Sequence, residues 1–245
     1  MNKKKIRLDQ KVVESQLADS REQARRLILA GQISCGSQVL SKPGMLVNSD
    51  TPLKLKNPEK YVSRGGLKLE GFFLDFPLNV KNALCLDIGS STGGFTDCLL
   101  QTGVKRVVCV DVGQGILHWK LRTDPRITVH EKINARYLTR ETVGNDFDLA
   151  VIDVSFISLK LILPPVFPLI RKDGHLLCLV KPQFEAGRKH VLKGGVVRSE
   201  LIQKECVDNI IAFGQTLGLT LYHFAPCRLK GPSGNQEYFV LFGKG

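Results

Sequence analysis

A chain of 245 residues, 43% of them hydrophobic, is long enough for one sizeable core and a small extra domain. It has no run of about eighteen apolar residues, which excludes a transmembrane helix. The basic start Met1-Asn2-Lys3-Lys4-Lys5 leads into a charged amphipathic segment rather than the apolar stretch of a secretory signal, so a cytoplasmic protein is expected. The formal net charge of +12 points to a polyanionic partner, either nucleic acid or an anionic membrane surface. Residues 1–60 carry half of that excess, with twelve lysines and arginines against six acidic residues. The seven cysteines are odd in number, lack Cys-x-x-Cys spacing and sit largely in apolar runs, so they read as small core residues. The five histidines are scattered, and no metal site is expected.

The first readable element is a short helix from near Asp9, with Val12, Val13 and Leu17 on one face. A second opens at Ser20-Arg21-Glu22-Gln23, where Ser20 and Gln23 fit a capping box, and ends at Gly31. Strand-like pieces follow at 32–34, 38–41 and 45–47, separated by the turn sequences Cys35-Gly36-Ser37 and Lys42-Pro43-Gly44. Over roughly residues 5–50 these features resemble the S4 domain, a small RNA-binding module. They are Arg7-Leu8-Asp9, Ser20-Arg21 at a helix start, and Ile-Leu-Ala-Gly-Gln-Ile-Ser. The resemblance implies that Arg7, Arg21, Arg25 and Arg26 dock structured RNA through phosphate contacts and shape.

The S4-like domain is placed at 1–57, a linker with Pro58, Arg64 and paired glycines at 58–66, and the large domain at 67–245. A helix is expected over 67–76, and a shorter one near 115–121. From Leu84 the near-continuous apolar runs LCLDI, RVVCVDV, LAVIDV and HLLCLVK read as parallel strands buried on both faces. A helix at 201–217 precedes two closing strands, LTLYHFA and EYFVLFG. The pattern is a doubly wound α/β sandwich with a terminal strand pair.

In such sheets ligands bind at the carboxyl ends of the strands. There the chain places Asp87 and then the loop Gly89-Ser90-Ser91-Thr92-Gly93-Gly94-Phe95, whose glycines let backbone approach a ligand near a helix start. Asp111 and Val112 end the next strand, where an acid can accept ribose hydroxyls. The dinucleotide pattern Gly-x-Gly-x-x-Gly is not met, which disfavours a nucleotide-dependent oxidoreductase. Leu-Asp-Ile-Gly-x-x-x-Gly-Gly-Phe instead resembles motif I of S-adenosylmethionine-dependent methyltransferases. That resemblance implies S-adenosylmethionine, with its methionine part at the loop, its ribose at Asp111 and its adenine near Asn134.

Lys68, Asp153, Lys181 and Glu237 are charged residues at strand ends or flanking apolar runs, where charge needs a reason. The set resembles the Lys-Asp-Lys-Glu group of FtsJ-type ribose 2′-O-methyltransferases. The ordered motifs SRGGLKL, LDIGSSTGGFTD, VDVG, DVSFISL, VKPQFEAG, KGGVVR and SGNQEYF make the whole chain similar to the TlyA family, also called hemolysin A. The resemblance implies a Rossmann-like class I S-adenosylmethionine-dependent methyltransferase sandwich behind a small N-terminal α+β S4 RNA-binding domain. It implies methylation of ribosomal RNA, free or in ribosomal subunits, at ribose 2′-hydroxyls. Lys181 is expected to contact the hydroxyl and to take its proton if burial and the nearby Lys68 lower its pKa. Asp153 is expected to orient Lys181, and Lys68 and Glu237 to position the ribose; which lysine is the base stays open. Phe156 is read as core rather than as a platform for the target base. The basic segment 183–198, with Arg188 and Lys189, reads as a loop beside the site suited to phosphate contact. Two rivals remain: an RNA-binding assembly factor without methyl transfer, and a membrane-active hemolysin, for which the sequence offers no span and no long amphipathic helix.

Overall fold

A computed structural model describes residues 5–56 and 60–245. The chain divides into two compact units, Met1–Glu59 and Lys60–Gly245. The basic start at 1–4 and the expected domain boundary within 57–59 lie outside the described residues.

The first unit contains β1 (Lys5–Arg7), α1 (Leu8–Glu14), α2 (Arg21–Leu29), β2 (Ile33–Cys35), β3 (Gln38–Val39), β4 (Leu46–Asn48) and β5 (Lys54–Leu55). Strand β1 pairs antiparallel with β4, and β2 lies between β3 and β5. Leu8, Val12, Ala24, Ile28, Ile33 and Val47 close its core, as the helical spacing predicts. Ser20 Oγ accepts from Gln23 N at 3.2 Å, but Gln23 Oε1 accepts from Asp19 N at 2.8 Å, not from Ser20. The return leg of the expected capping box thus lands one residue earlier. Strands β1 and β5 were not expected; at three and two residues they carry too little periodicity to read.

The second unit contains α3 (Arg64–Asp75), β6 (Leu84–Ile88), α4 (Gly94–Gln101), β7 (Arg106–Val110), α5 (Trp119–Arg122), β8 (Ile127–His130) and α6 (Arg140–Val143). It continues with β9 (Phe147–Ile152), α7 (Leu163–Val166), β10 (Ile170–Val180), α8 (Pro182–Glu185), α9 (Glu200–Thr216), β11 (Leu219–Pro226) and β12 (Tyr238–Lys244). The sheet order is β11-β12-β10-β9-β6-β7-β8. Strand β12 is antiparallel to both neighbours, while β10, β9, β6, β7 and β8 pair in parallel.

Alternation along each strand splits the core in two. Leu86, Ile88, Ala150, Ile152, Leu176 and Cys178 pack with residues of α7 and α9. Cys85, Val107, Leu149, Val151, Leu177 and Leu179 pack with residues of α3, α4 and α5 on the other face. All seven cysteines are free, and six are buried.

Helix α3 starts three residues earlier than the sequence predicts, within the expected linker. Its paired glycines do not break it, because they make room for backbone. A Cβ on Gly66 would meet Tyr61 Cγ at 2.2 Å, and one on Gly94 would meet Gly66 N at 2.8 Å and Gly65 Cα at 3.0 Å. The starts of α3 and α4 therefore pack backbone to backbone. The helix expected near 115–121 is shorter and later, at Trp119–Arg122.

Candidate functional site

Strand β6 lies mid-sheet with parallel neighbours β7 and β9, the arrangement whose carboxyl ends open a crevice. Gly89 leaves β6 at φ +78°, and a Cβ there would meet Asp153 O at 2.5 Å, so only glycine fits where the ends of β6 and β9 pass. The loop is held by its own amides. Gly89 N and Ser90 N donate to Val110 O, Gly93 N to Ser90 O, and Ser91 N to Asp111 Oδ2 at 2.8 Å. Those amides are spent on rigidity and are not free for a ligand. Asp111 also accepts from Gly113 N at 2.7 Å, so its carboxylate fixes two turns. Gly93, at φ +95°, faces Leu117 and Leu121 and lines neither cavity described below.

Two adjoining cavities lie at this edge, of about 780 and 850 Å³, within the range of small-molecule sites. They share Gly89, Ser91, Asp153, Ser155, Phe156 and Phe184 as walls. The first is lined by Asp87, Ser90, Thr92, Gly94, Phe95 and all four of Lys68, Asp153, Lys181 and Glu237. The second is lined by Asp111, Val112 and Asn134. Asn134 Oδ1 accepts from Arg136 N at 3.1 Å, and Val112 is largely exposed.

The four charged residues form two pairs. Lys68 Nζ donates to Glu237 Oε2 at 2.6 Å, with both side chains buried. Lys181 Nζ lies 2.6 Å from Asp153 Oδ1 and donates to Ser155 Oγ at 2.9 Å. The Asp153 contact is charge against charge rather than an aligned hydrogen bond. Burying a charge is costly unless it is paired, so each lysine carries its own carboxylate into the cavity wall. Lys68 reaches the site from α3, Asp153 from the end of β9, Lys181 from the end of β10 and Glu237 from the start of β12.

Asp87 is fully buried; its Oδ2 accepts from Thr96 Oγ1 at 2.5 Å, and its Oδ1 has no partner among the described residues. Burial pushes this carboxyl up to about 7, against the Thr96 hydrogen bond, which pulls it down; Asp153 and Asp111 add to the rise. An unpartnered carboxylate oxygen on the wall of the first cavity suits a cationic group such as an ammonium. With Asp111 at the second cavity, the residues fit a nucleoside that carries an amino acid.

Phe156 is not core. It is 91% exposed, holds φ +64° and lines both cavities. Its ring packs at 5.0 Å, tilted, on Phe184 of α8. The outward turn comes from backbone that the sequence pattern does not encode.

Among the residues expected to meet RNA, Arg7 and Arg21 converge on Asp9. Arg7 donates twice, at 3.1 Å each, and Arg21 Nη2 donates to Asp9 Oδ2 at 3.1 Å. Asp9 is fully buried, and the Arg7 hydrogen bond, with Arg21 beside it, holds its carboxyl down at about 2. Arg25 and Arg26 are exposed on α2. Arg64 lines the first cavity and donates to Lys230 O at 2.9 Å. Arg188 and Lys189 are exposed in the turn after α8 and line neither cavity, whereas Gln183, Val191, Gly194 and Gly195 of the same segment line the first.

Sequence reasoning missed Ser155, Gln183, Phe184 and Asn235. Ser155 stands two residues after Asp153, a signal within the DVSFIS motif. Asn235 is buried and holds the 195–197 backbone, accepting from Val197 N at 2.9 Å and donating to Gly195 O at 2.8 Å. Among the described residues, no group of three or more His, Cys, Asp or Glu side chains is placed to hold a metal ion.

Comparison with known proteins gives the family and the fold. Residues 61–244 match the FtsJ-like methyltransferase family, and residues 6–51 match the S4 domain. YqxC of Bacillus subtilis strain 168, which carries the name of an rRNA methyltransferase, is 46% identical over 98% of this chain and 86% of its own length. The 16S/23S rRNA (cytidine-2′-O)-methyltransferase TlyA of Mycobacterium tuberculosis is 42% identical over 97% of this chain and 89% of its own. A solved hemolysin-named structure from Streptococcus thermophilus superposes with TM-score 0.74 at 40% identity, covering 98% of this chain and 88% of that one.

Proposed function

The chain belongs to the FtsJ-like methyltransferase family, with an S4 domain ahead of the methyltransferase unit, and from that premise we propose that it methylates ribose 2′-hydroxyls of ribosomal RNA. One observation carries the reading: two lysine–carboxylate pairs, Lys68–Glu237 and Lys181–Asp153, line one cavity beside the Gly89–Phe95 loop. A ribose hydroxyl is a poor nucleophile that must be gripped, aligned and relieved of a proton, and such pairs do this where base methylation would call for recognition of a ring nitrogen or carbon. The rRNA named for YqxC and TlyA supports the substrate class, and a cytoplasmic location goes with it.

S-adenosylmethionine, when bound, supplies an electrophilic methyl on a sulfonium. Asp87 would hold its ammonium, Ser90, Thr92 and Gly94 its methionine part, and Asp111, Val112 and Asn134 its nucleoside part. The Lys181 ammonium holds the 2′-oxygen, and the Asp153 carboxylate takes up the hydroxyl proton as the oxygen attacks the methyl carbon and the carbon–sulfur bond breaks. Ser155 fixes the Lys181 ammonium at 2.9 Å. Lys68 and Glu237 orient the ribose. Phe156 stacks the target base at the cleft, since its ring is held in a left-handed backbone and stays exposed despite its contact with Phe184. Arg25 and Arg26, with Arg7 and Arg21 braced on Asp9, contact RNA phosphates, and Arg64, Arg188 and Lys189 extend the basic contact.

The membrane-active alternative draws no support from the helices: among the described residues none is long and apolar enough to cross a membrane. An assembly factor without chemistry leaves the two ion pairs unexplained. The test is transfer of labelled methyl from S-adenosylmethionine to isolated ribosomal subunits and to intact ribosomes. Label appears in RNA with the wild type and is lost in Lys181→Ala. Cofactor binding without label on any of these substrates contradicts the reading.

A further inference from the structure

The turn from Asp153 to Leu159 is tied to α8 at both ends. At one end stands Lys181, the residue before α8, on Asp153 at 2.6 Å and Ser155 at 2.9 Å. At the other, Glu185, the last residue of α8, accepts from Ser158 Oγ at 2.6 Å and from Leu159 N at 2.8 Å. Between the two ties the Phe156 ring rests on Phe184 with centroids 5.0 Å apart. Phenylalanine holds φ +64° only where its surroundings over-determine the backbone. Glu185 lines neither cavity, so its carboxylate does not meet the ligands of the proposed reaction. Its two hydrogen bonds both go to the turn that carries Asp153, Ser155 and Phe156.

We propose that Glu185 is a positioning residue for methyl transfer: its carboxylate holds the 153–159 turn in register on α8, which stands Phe156 over the cleft and sets Asp153 and Ser155 on Lys181. The proposal rests on the RNA-methylation reading above. The competing account is a loop staple that adds stability and nothing else.

The two accounts separate in kinetics on ribosomal subunits, with S-adenosylhomocysteine binding measured by calorimetry beside them. Glu185→Ala lowers kcat/KM for RNA on the order of 10²-fold, the scale of a displacement of about an ångström at reacting groups, while S-adenosylhomocysteine affinity is unchanged. Glu185→Gln loses less, because its amide oxygen still accepts from Leu159 N and the Ser158 hydroxyl can turn to accept. Ser158→Ala, a milder change that decides the matter if Glu185→Ala fails to fold, shifts kcat/KM in the same direction. The strictest arm is a double-mutant cycle: in a Phe156→Ala background, Glu185→Ala costs less further kcat/KM than in the wild type, because part of its effect passes through that ring and the rest through Asp153 and Ser155. Amide exchange over 156–159 quickens in Glu185→Ala and Ser158→Ala whether or not RNA is methylated. Losses that multiply in the cycle overturn the proposal. So does wild-type transfer by Ser158→Ala and Glu185→Gln, whatever the exchange over the turn. A wild type that methylates nothing, while Glu185→Ala and Ser158→Ala still show the quickened exchange, overturns the methylation reading and leaves only the staple.

Discussion

Lys68 and Glu237 are 169 residues apart in the chain and meet with Nζ 2.6 Å from Oε2, both buried. The first residue comes from the helix that opens the methyltransferase unit and the second from its last strand, so the contact joins the two ends of that unit. Removing one member of a buried pair strands the other charge, at a cost of about 3–5 kcal/mol. Lys68→Ala is expected to lower stability by that order and to abolish transfer. The double variant Lys68→Met/Glu237→Gln, which leaves no lone buried charge, is expected to regain most of the stability and none of the activity. Denaturant unfolding beside methyl transfer checks both halves; activity in the double variant contradicts a role for the pair in the reaction.

Asp87 makes a pH prediction. Its folded carboxyl titrates at about 7, raised chiefly by burial, whereas an unfolded aspartate titrates near 4. Between these values the folded state holds a proton that the unfolded state has released. Stability of the cofactor-free protein therefore falls as pH rises from about 4 to 7. An ammonium ligand prefers the ionised form, so S-adenosylhomocysteine binds more tightly as pH climbs through 7. In Asp87→Asn the melting temperature loses this component and the affinity loses its slope. A calorimetric titration at three pH values reads the second effect, and an equal slope in the variant contradicts it.

Phe156 separates stability from function in one residue. Its left-handed φ of +64° costs of the order of 1–3 kcal/mol in a non-glycine residue, and its exposed ring gains little from packing. Phe156→Gly is expected to gain about 1 kcal/mol of stability, part of the relief being offset by glycine's greater unfolded freedom. The same change loses base stacking, worth about 1–3 kcal/mol per base, and raises KM for RNA on the order of tenfold or more. A melt and a kinetic titration on one preparation suffice; a destabilised, fully active glycine variant contradicts both expectations.

These residues show how far the sequence could be read. The parallel sheet is legible because strands buried on both faces leave apolar runs such as RVVCVDV. The Gly89–Phe95 loop is legible because glycine is required where β6 passes the end of β9, as Gly89 shows against Asp153 O. Asp153, Lys181 and Glu237 stand out because strand ends above a crevice give charge a purpose, whereas Lys68 lies on α3. Phe156 reads as core because an aromatic between apolar residues usually is. The turn that carries it is tied at Leu159 by Glu185, 26 residues further on, which no local pattern records. Gly65-Gly66 reads as a break, yet the pair makes room for the α4 backbone. Arg7 and Arg21 read as free cations, and only the folded chain brings both to Asp9. The terminal strand pair is legible too, but not the insertion of β12 between β10 and β11, since pairing partners depend on distant edges.

The basic face of α2 predicts salt dependence. If Arg25 and Arg26 each contact a phosphate, replacing either by alanine reduces the slope of log K against log salt by roughly one unit and weakens binding to all RNA alike. Filter binding across a salt series gives the slope; an unchanged slope in the double variant contradicts a phosphate role for both.

In the proposed reaction the Lys181–Asp153 pair activates the ribose oxygen that takes the methyl. The direct measurement is nucleoside analysis of ribosomal RNA labelled by the purified protein, with Lys181→Ala shown to bind S-adenosylhomocysteine normally. Label is expected solely in 2′-O-methylated nucleosides, and none with Lys181→Ala. Label on a base, or 2′-O-methylation that persists near the wild-type rate in Lys181→Ala, would contradict the proposed reaction.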